Sequence, residues 1–166
     1  MNGKRVWRFG DNIDTDVLAP GIYMKKPIAE LAVHCLEAVE PRFAKEVRPG
    51  DVVVGGRGFG MGSSREQAVE ALQALGVAAV LATSFGGIFY RNALNHGLLA
   101  LTSPDIGRIR QDDRVIVDSA AGTLIDETTG ERLSCEKLPP HLLAMIADGG
   151  LVRHLEKRFA RQGTTA

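Results

Sequence analysis

Cysteine is almost missing from this chain: Cys35 and Cys135 are the only two among 166 residues. Two thiols so far apart cannot supply the four ligands of an iron–sulfur cluster or the usual zinc set, even with His34, His96, His141 and His154 at their scattered positions. A disulfide framework is equally ill-matched to two cysteines in a chain with no secretory signal. Charge of one sign is also lacking, with 20 basic and 20 acidic side chains. That balance argues against nucleic acid and membrane as partners. No apolar run is long enough to span a bilayer, and no charged leader opens the chain, so the expected location is cytoplasmic.

Glycine is concentrated instead, in the run Gly55-Gly56-Arg57-Gly58-Phe59-Gly60-Met61-Gly62-Ser63-Ser64-Arg65-Glu66. Backbone without side chains approaches a ligand closely, and N–H groups at a helix start favour anions. A nucleotide phosphate is a poor fit. The P-loop needs a lysine before its hydroxyl residue, and the dinucleotide pattern needs glycine where Met61 or Ser63 stands. The better fit is a carboxylate, taken by the planar fork of Arg65 with hydroxyls beside it. A serine N-cap on a solvated first turn would explain Ser-Ser-Arg-Glu alone, but it requires none of the five upstream glycines.

The surrounding pattern is α/β, in one domain of residues 1–166. Lys4–Phe9 and Asp51–Val54 read as strands, the second delivering the chain to the glycine run. Glu66–Leu75 reads as a helix ending at Gly76, followed by a strand over Val77–Leu81. This βαβ-like unit puts Ser63 to Arg65 at a strand's C-terminal end, where open α/β sheets bind ligands. Ile28–Leu36 and Phe85–Gly97 have helical spacing, Leu98–Leu101 reads as a strand, and the segments Ile106–Val117 and Thr123–Ile125 read as hairpin material. An amphipathic helix over about 150–162 with a solvated basic face closes the chain. Asp11, Asp14 and Asp16 sit in an early polar turn that lacks the glycine and closing glutamate of a calcium loop. Tyr23-Met24-Lys25-Lys26 forms a cationic loop soon after.

Four separated motifs carry a family resemblance: Gly10-Asp11-Asn12-Ile13-Asp14-Thr15-Asp16, Gly58 to Ala68, Ser84-Phe85 with Ile88-Phe89-Tyr90-Arg91-Asn92-Ala93, and Gly149-Gly150-Leu151. Together they resemble the small subunits of 3-isopropylmalate dehydratases, free-standing counterparts of the aconitase swivel domain. The resemblance implies a swivelling β/β/α three-layer fold and a larger partner subunit that carries a four-iron four-sulfur cluster. This chain would bind no cofactor itself. The implied activity is that of a hydro-lyase interconverting 2-isopropylmalate and 3-isopropylmalate in leucine biosynthesis.

By position in the motifs, the resemblance implies Ser63 as the base, Ser64 and Arg65 as substrate-carboxylate contacts, and Asp16 as an orienting acid. Asp14 and Thr15 read as turn scaffolding. The family distinguishes the side group of its substrate in the loop that is Met24, Lys25 and Lys26 here, and relatives often carry Tyr-Leu followed by Arg-Thr or Val-Tyr. The lysines either contact a further carboxylate, as in homoaconitate chemistry, or stay in water while Met24 faces an isopropyl group. The substrate is thus a substituted malate, dimethylmalate included. Met61 replaces a frequent cysteine, a change beneath the loop and not among the reacting groups. A stand-alone carboxylate-binding module is the competing reading.

Overall fold

The structure, a computed structural model, describes residues 2–163. Strand β1 (Lys4–Arg8) is followed by three short helices, α1 (Thr15–Leu18), α2 (Ile28–Ala32) and α3 (Phe43–Glu46). Then come β2 (Val52–Val54), α4 (Glu66–Ala74), β3 (Ala79–Ala82), α5 (Gly87–Asn95) and β4 (Leu99–Thr102). The second half contributes β5 (Arg114–Asp118), β6 (Thr123–Asp126), β7 (Arg132–Ser134), α6 (Pro140–Ala147) and α7 (Leu151–Gly163). The strands form one sheet in the order β4-β3-β2-β1-β5-β6-β7.

β1 is the hinge between two kinds of pairing. Its first residues run antiparallel to β5, with Lys4 opposite Val115, and its last three run parallel to β2, with Trp7 opposite Val53. On the β2 side all pairs are parallel, and on the β5 side all are antiparallel. Every parallel pair is joined through helices, and the successive crossovers β1–β2–β3–β4 step in one direction. With a constant crossover hand, such steps place the helices on one face. The strand alternation shows the result. Trp7, Val53, Val80, Ala82 and Ala100 pack into a core with Leu31, Phe43, Leu72 and Phe89 from the helices. Val6, Val52, Val54, Ala79 and Leu81 face the other way, onto Val115, Leu124 and Leu133 of the antiparallel strands. The fold is therefore helices on parallel sheet on antiparallel sheet, the β/β/α order expected.

Covered on both faces, β2 and β3 are buried along their whole length, whereas β6 and β7 alternate between buried and more open positions. Helix α4 ends where expected, and Gly76 follows at φ +82°. Two expectations need correction. Ile106–Arg108 is a 3₁₀ turn and not strand, because Ile106 and Ile109 are both needed in the sheet–sheet core at a three-residue spacing. The helical pattern from Ile28 also stops early, at Ala32, and the chain turns through Leu36 at φ +62°. The final helix α7 has no buried residue.

The central strand is fastened from below by a buried acid. Trp7 is fully buried and its Nε1–H donates to Asp51 Oδ2 at 3.0 Å, and the Arg48 N–H donates to the same oxygen at 3.0 Å. Asp51→Ala leaves both donors without a partner and is expected to cost about 2–3 kcal/mol. Denaturant unfolding followed by the fluorescence of Trp7, the chain's single tryptophan, measures this directly.

Candidate active site

Three loops converge beyond the C-terminal ends of the parallel strands, and their backbones are tied to one another. The Gly56 N–H donates to Gly10 O (3.0 Å), Asn12 N–H to Arg57 O (2.8 Å), Gly60 N–H to Ile13 O (2.6 Å) and Thr15 N–H to Met61 O (2.9 Å). On the opposite side, Phe59 N–H donates to Ser84 O (3.0 Å) and Gly86 N–H to Phe59 O (2.9 Å). Asp11 Oδ1 accepts from the Arg57 N–H at 2.7 Å and Ser84 Oγ from the Gly58 N–H at 2.9 Å. Beneath the loop, Phe59 is buried with its ring edge-on to Phe85 and Phe89. Gly60 sits at φ +77°, and a Cβ there would run into the Phe89 ring. Glycine at this position lets the run lie flat against α5.

This clasp presents Met61 to Ser64 as an exposed ledge leading into α4, so Met61 lies on the surface and not beneath the loop as expected. No serine caps the helix: the N-cap position is Arg65, and it makes no side-chain capping bond. The hydroxyls are therefore left for other partners. Ser63 Oγ lies 3.3 Å from Thr15 Oγ1, and either can donate. Thr15 itself is buried. Read from sequence as scaffolding, it proves to place a hydroxyl against Ser63, a contact across 48 positions that local spacing could not reveal. Asp14 is scaffolding as expected, its Oδ1 accepting from the Val17 N–H at 2.8 Å to cap α1.

Asp16 and Arg65 meet directly. Arg65 Nη1 donates to Asp16 Oδ1 at 2.6 Å and to the Ala19 carbonyl at 3.0 Å, while the Gly21 N–H donates to the same Asp16 oxygen at 3.0 Å. The guanidinium is thus held by one nitrogen, and its Nε and Nη2 have no hydrogen-bond acceptor among the described residues. A fork pinned at one tip and open at the other suits a ligand carboxylate. Asp16 is largely exposed, yet the Arg65 hydrogen bond, and after it the Gly21 N–H, hold its carboxyl below the ordinary value.

The loop after Gly21 distributes its residues unevenly. Lys25 and Lys26 are exposed, whereas Met24 is half-buried against the helix-side core. Ile22 is 82% exposed, the most open large apolar side chain among the described residues. Sequence reasoning passed over it, although an isoleucine between Gly21 and Tyr23 in a polar loop was a usable signal. The structure also brings Glu66 and Glu70 of α4 close to His96 at the end of α5, with His96 Nε2 3.6 Å from Glu66 Oε2. Cys35 lies in the helix-side core and Cys135 against the sheet–sheet core, on opposite faces of the parallel strands. They do not form part of one ligand set.

Fold and site together define the class, that of the aconitase C-terminal domain, whose family model matches residues 36–105. That stretch contains the glycine run, Ser63 to Arg65, the β2–α4–β3 unit that carries them and the β3–α5–β4 unit that follows. The 3-isopropylmalate dehydratase small subunit of Syntrophus aciditrophicus is 45% identical over 157 residues, covering 93% of this chain and 95% of that protein. The methanogen homoaconitase small subunit of Methanothermobacter thermautotrophicus is 46% identical over 157 residues, covering 92% of this chain and 89% of that one. The crystal structure of 3-isopropylmalate dehydratase from Methanocaldococcus jannaschii superposes with a TM-score of 0.92 at 39% identity, covering 99% of this chain and 98% of that one. This chain belongs to the family of 3-isopropylmalate dehydratase small subunits.

The Asp16 geometry has a sign that can be measured. A carboxyl whose folded pKa is depressed stabilises the structure above its unfolded pKa, and that contribution is lost as pH falls through the folded value. The Asp16 link to Arg65 and Gly21 should therefore persist through the ordinary carboxylate range and open only below it. NMR titration of the Asp16 carboxyl should show a midpoint below that of a free aspartate, and Arg65→Gln should move the midpoint upward.

Proposed function

We propose that this chain is the small subunit of a two-subunit, cytoplasmic hydro-lyase that interconverts 2-isopropylmalate and 3-isopropylmalate by dehydration and rehydration. The observation that carries this reading is the pairing of an open Arg65 fork with a Ser63 hydroxyl, itself 3.3 Å from the buried Thr15 hydroxyl, on an exposed ledge. Such a ledge is one wall of a site. The chain, residues 1–166, would act as one swivelling unit whose ledge closes on a larger subunit.

In this reading Arg65 takes one substrate carboxylate through Nε and Nη2, and the Ser64 hydroxyl donates to the same group. Ser63 removes the proton from the carbon next to the hydroxyl-bearing carbon and returns it on rehydration. A serine alkoxide is costly unless its charge is met. Thr15 can donate to it across 3.3 Å, and the Arg65 cation lies in the same segment. Asp16 acts through Arg65, fixing one tip of the fork so that the other faces the ligand. A four-iron four-sulfur cluster in the large subunit would supply Lewis acidity toward the substrate hydroxyl. The two cysteines here do not assemble a donor set for it.

The side group of the substrate would meet the loop from Ile22 to Lys26. Ile22 is better placed than the half-buried Met24 to touch an isopropyl group. Exposed Lys25 and Lys26 favour a second reading, in which the same chemistry acts on a malate bearing a third carboxylate, as in homoaconitate. Overall identity to relatives of the two kinds is nearly equal, so the loop decides.

Reconstitution with a cluster-bearing large subunit and a panel of substituted malates tests this. Ser63→Ala should lower kcat by about 10²–10⁴-fold, with complex formation in sedimentation unchanged. Lys25→Met should selectively weaken any tricarboxylate substrate. Failure of the complex to turn over every malate homologue would sink the reading.

A further inference from the structure

We propose that His34 and Glu37 form a clamp that holds the substrate loop in its working pose by gripping Tyr23. This rests on the reading of Ile22 to Lys26 as that loop. The rings of Tyr23 and His34 lie face to face, with centroids 3.6 Å apart and an angle of 8° between their planes. His34 Nδ1 is in turn hydrogen-bonded to Glu37 Oε2 at 2.8 Å, which fixes the plane of the imidazole. Tyr23 is the only aromatic residue in the loop, and it stands between Ile22 and Lys25–Lys26 in sequence.

The loop is attached at the Gly21 N–H, through Met24 and Tyr23 packed on the helix-side core, and through the Tyr23–His34 stack, and these attachments differ in kind. At its start, the Gly21 N–H is bound to Asp16 and so to the same oxygen that holds Arg65. That contact fixes the loop to the carboxylate site. Beyond Gly21 the side chains of Ile22, Lys25 and Lys26 are exposed, and within the loop the Lys26 N–H donates to Tyr23 O at 2.9 Å. Tyr23 therefore carries the position of Lys26 with it. The ring stack on His34 is what ties this turn to the segment after α2.

The His34–Glu37 segment is itself held in an unusual backbone. Leu36, between the two clamp residues, sits at φ +62° and is fully buried, and its N–H donates to Val17 O at 3.0 Å. A leucine in the left-handed region is disfavoured, and it persists here because core burial and the Val17 bond over-determine it. The tight turn at Leu36 lets Glu37 reach back to His34 three positions earlier. Strain located beside a ring that faces the substrate loop is consistent with a positioning device.

His34 is thus a positioning residue, acting on substrate only through Tyr23. Loosening the stack lowers the population of the competent loop, and apparent affinity falls by the same fraction. His34→Ala should raise KM about threefold to tenfold with kcat changed less than about twofold, the range for losing one ring–ring contact. His34→Phe, which keeps a flat ring but loses the Glu37 bond, should restore KM only in part, and His34→Leu should not restore it. Limited proteolysis of the full chain gives a readout that needs no activity. Lys25–Lys26 is the tryptic bond in the loop, because Lys26 precedes Pro27, and His34→Ala should speed its cleavage while His34→Phe brings it only partway back toward the wild-type rate. Unchanged cleavage and unchanged KM in His34→Ala overturn the clamp. Faster cleavage with unchanged KM also overturns its positioning role. In that case, a KM change in Lys25→Ala leaves the substrate-loop reading standing, and no change in Lys25→Ala locates the failure in that reading.

Discussion

The parallel pairing of β1 with β2 does not stop where the strands stop, and the site depends on its continuation. Past Arg8 and Val54 the two segments keep exchanging backbone hydrogen bonds, from Phe9 and Gly56 through Asn12 and Gly60 to Thr15. Each of these bonds fixes one loop by the other, so neither the acidic turn nor the glycine run has a conformation of its own. The glycines are the condition for this continuation. A side chain at Gly56 would run into the Asp11 carboxylate, and one at Gly60 into Phe89. Removing side chains allows two loops to pack as closely as two strands, and backbone N–H and C=O groups that would otherwise face the ligand region unpaired find partners.

That interlock explains why the chemistry-bearing residues come from segments so far apart. Thr15 and Asp16 are delivered by the first loop, Ser63 and Arg65 by the second, and the two pairs meet because the backbones beneath them are stitched together. The ion pair between Asp16 and Arg65 is largely solvated on the aspartate side. Exposed pairs of this kind add little stability. Its significance is orientation: one nitrogen of the guanidinium is occupied, so the direction in which the others point is set before any ligand arrives. The site thus invests its hydrogen bonds in geometry, while the stability of the fold rests on the two cores to either side of the parallel sheet.

Much of this was legible in the sequence, and the reasons are local. Asp51 to Val54 reads as a strand because it is apolar and β-branched, and α4 reads as a helix because its spacing runs cleanly from Glu66 to Gly76. The glycine–serine–arginine run points to an anion site by composition alone. What escaped depends on distance along the chain. The Thr15–Ser63 contact and the Asp16–Arg65 pair follow from the loop interlock and not from any spacing. β7, three residues long, exists because β6 offers an edge, and its own residues hardly announce a strand. Ile106 and Ile109 suggested strand through their composition, yet their three-residue period belongs to a 3₁₀ turn. Tyr23 and His34 are unremarkable as single residues, and only their stacking gives them a joint role.

The division of labour between the two loops bears on how one fold serves several substrates. All substituted malates share the carboxylates and the carbon that loses its proton, and the residues suited to those features sit on the rigid, interlocked part of the surface. The substituents that differ between substrates would meet Ile22, Lys25 and Lys26, the exposed side chains of a short loop fixed at Gly21, Tyr23 and Met24. A substitution at an exposed loop position costs little stability, since it removes neither core volume nor a buried hydrogen bond. A change at Gly60 disturbs the interlock, and one at Ser63 or Arg65 would disturb the groups proposed to meet the substrate. On the proposed reading, substrate preference can therefore drift in the loop while the proposed proton-transfer site stays fixed, and similarity over the whole chain carries little information about which malate would be used.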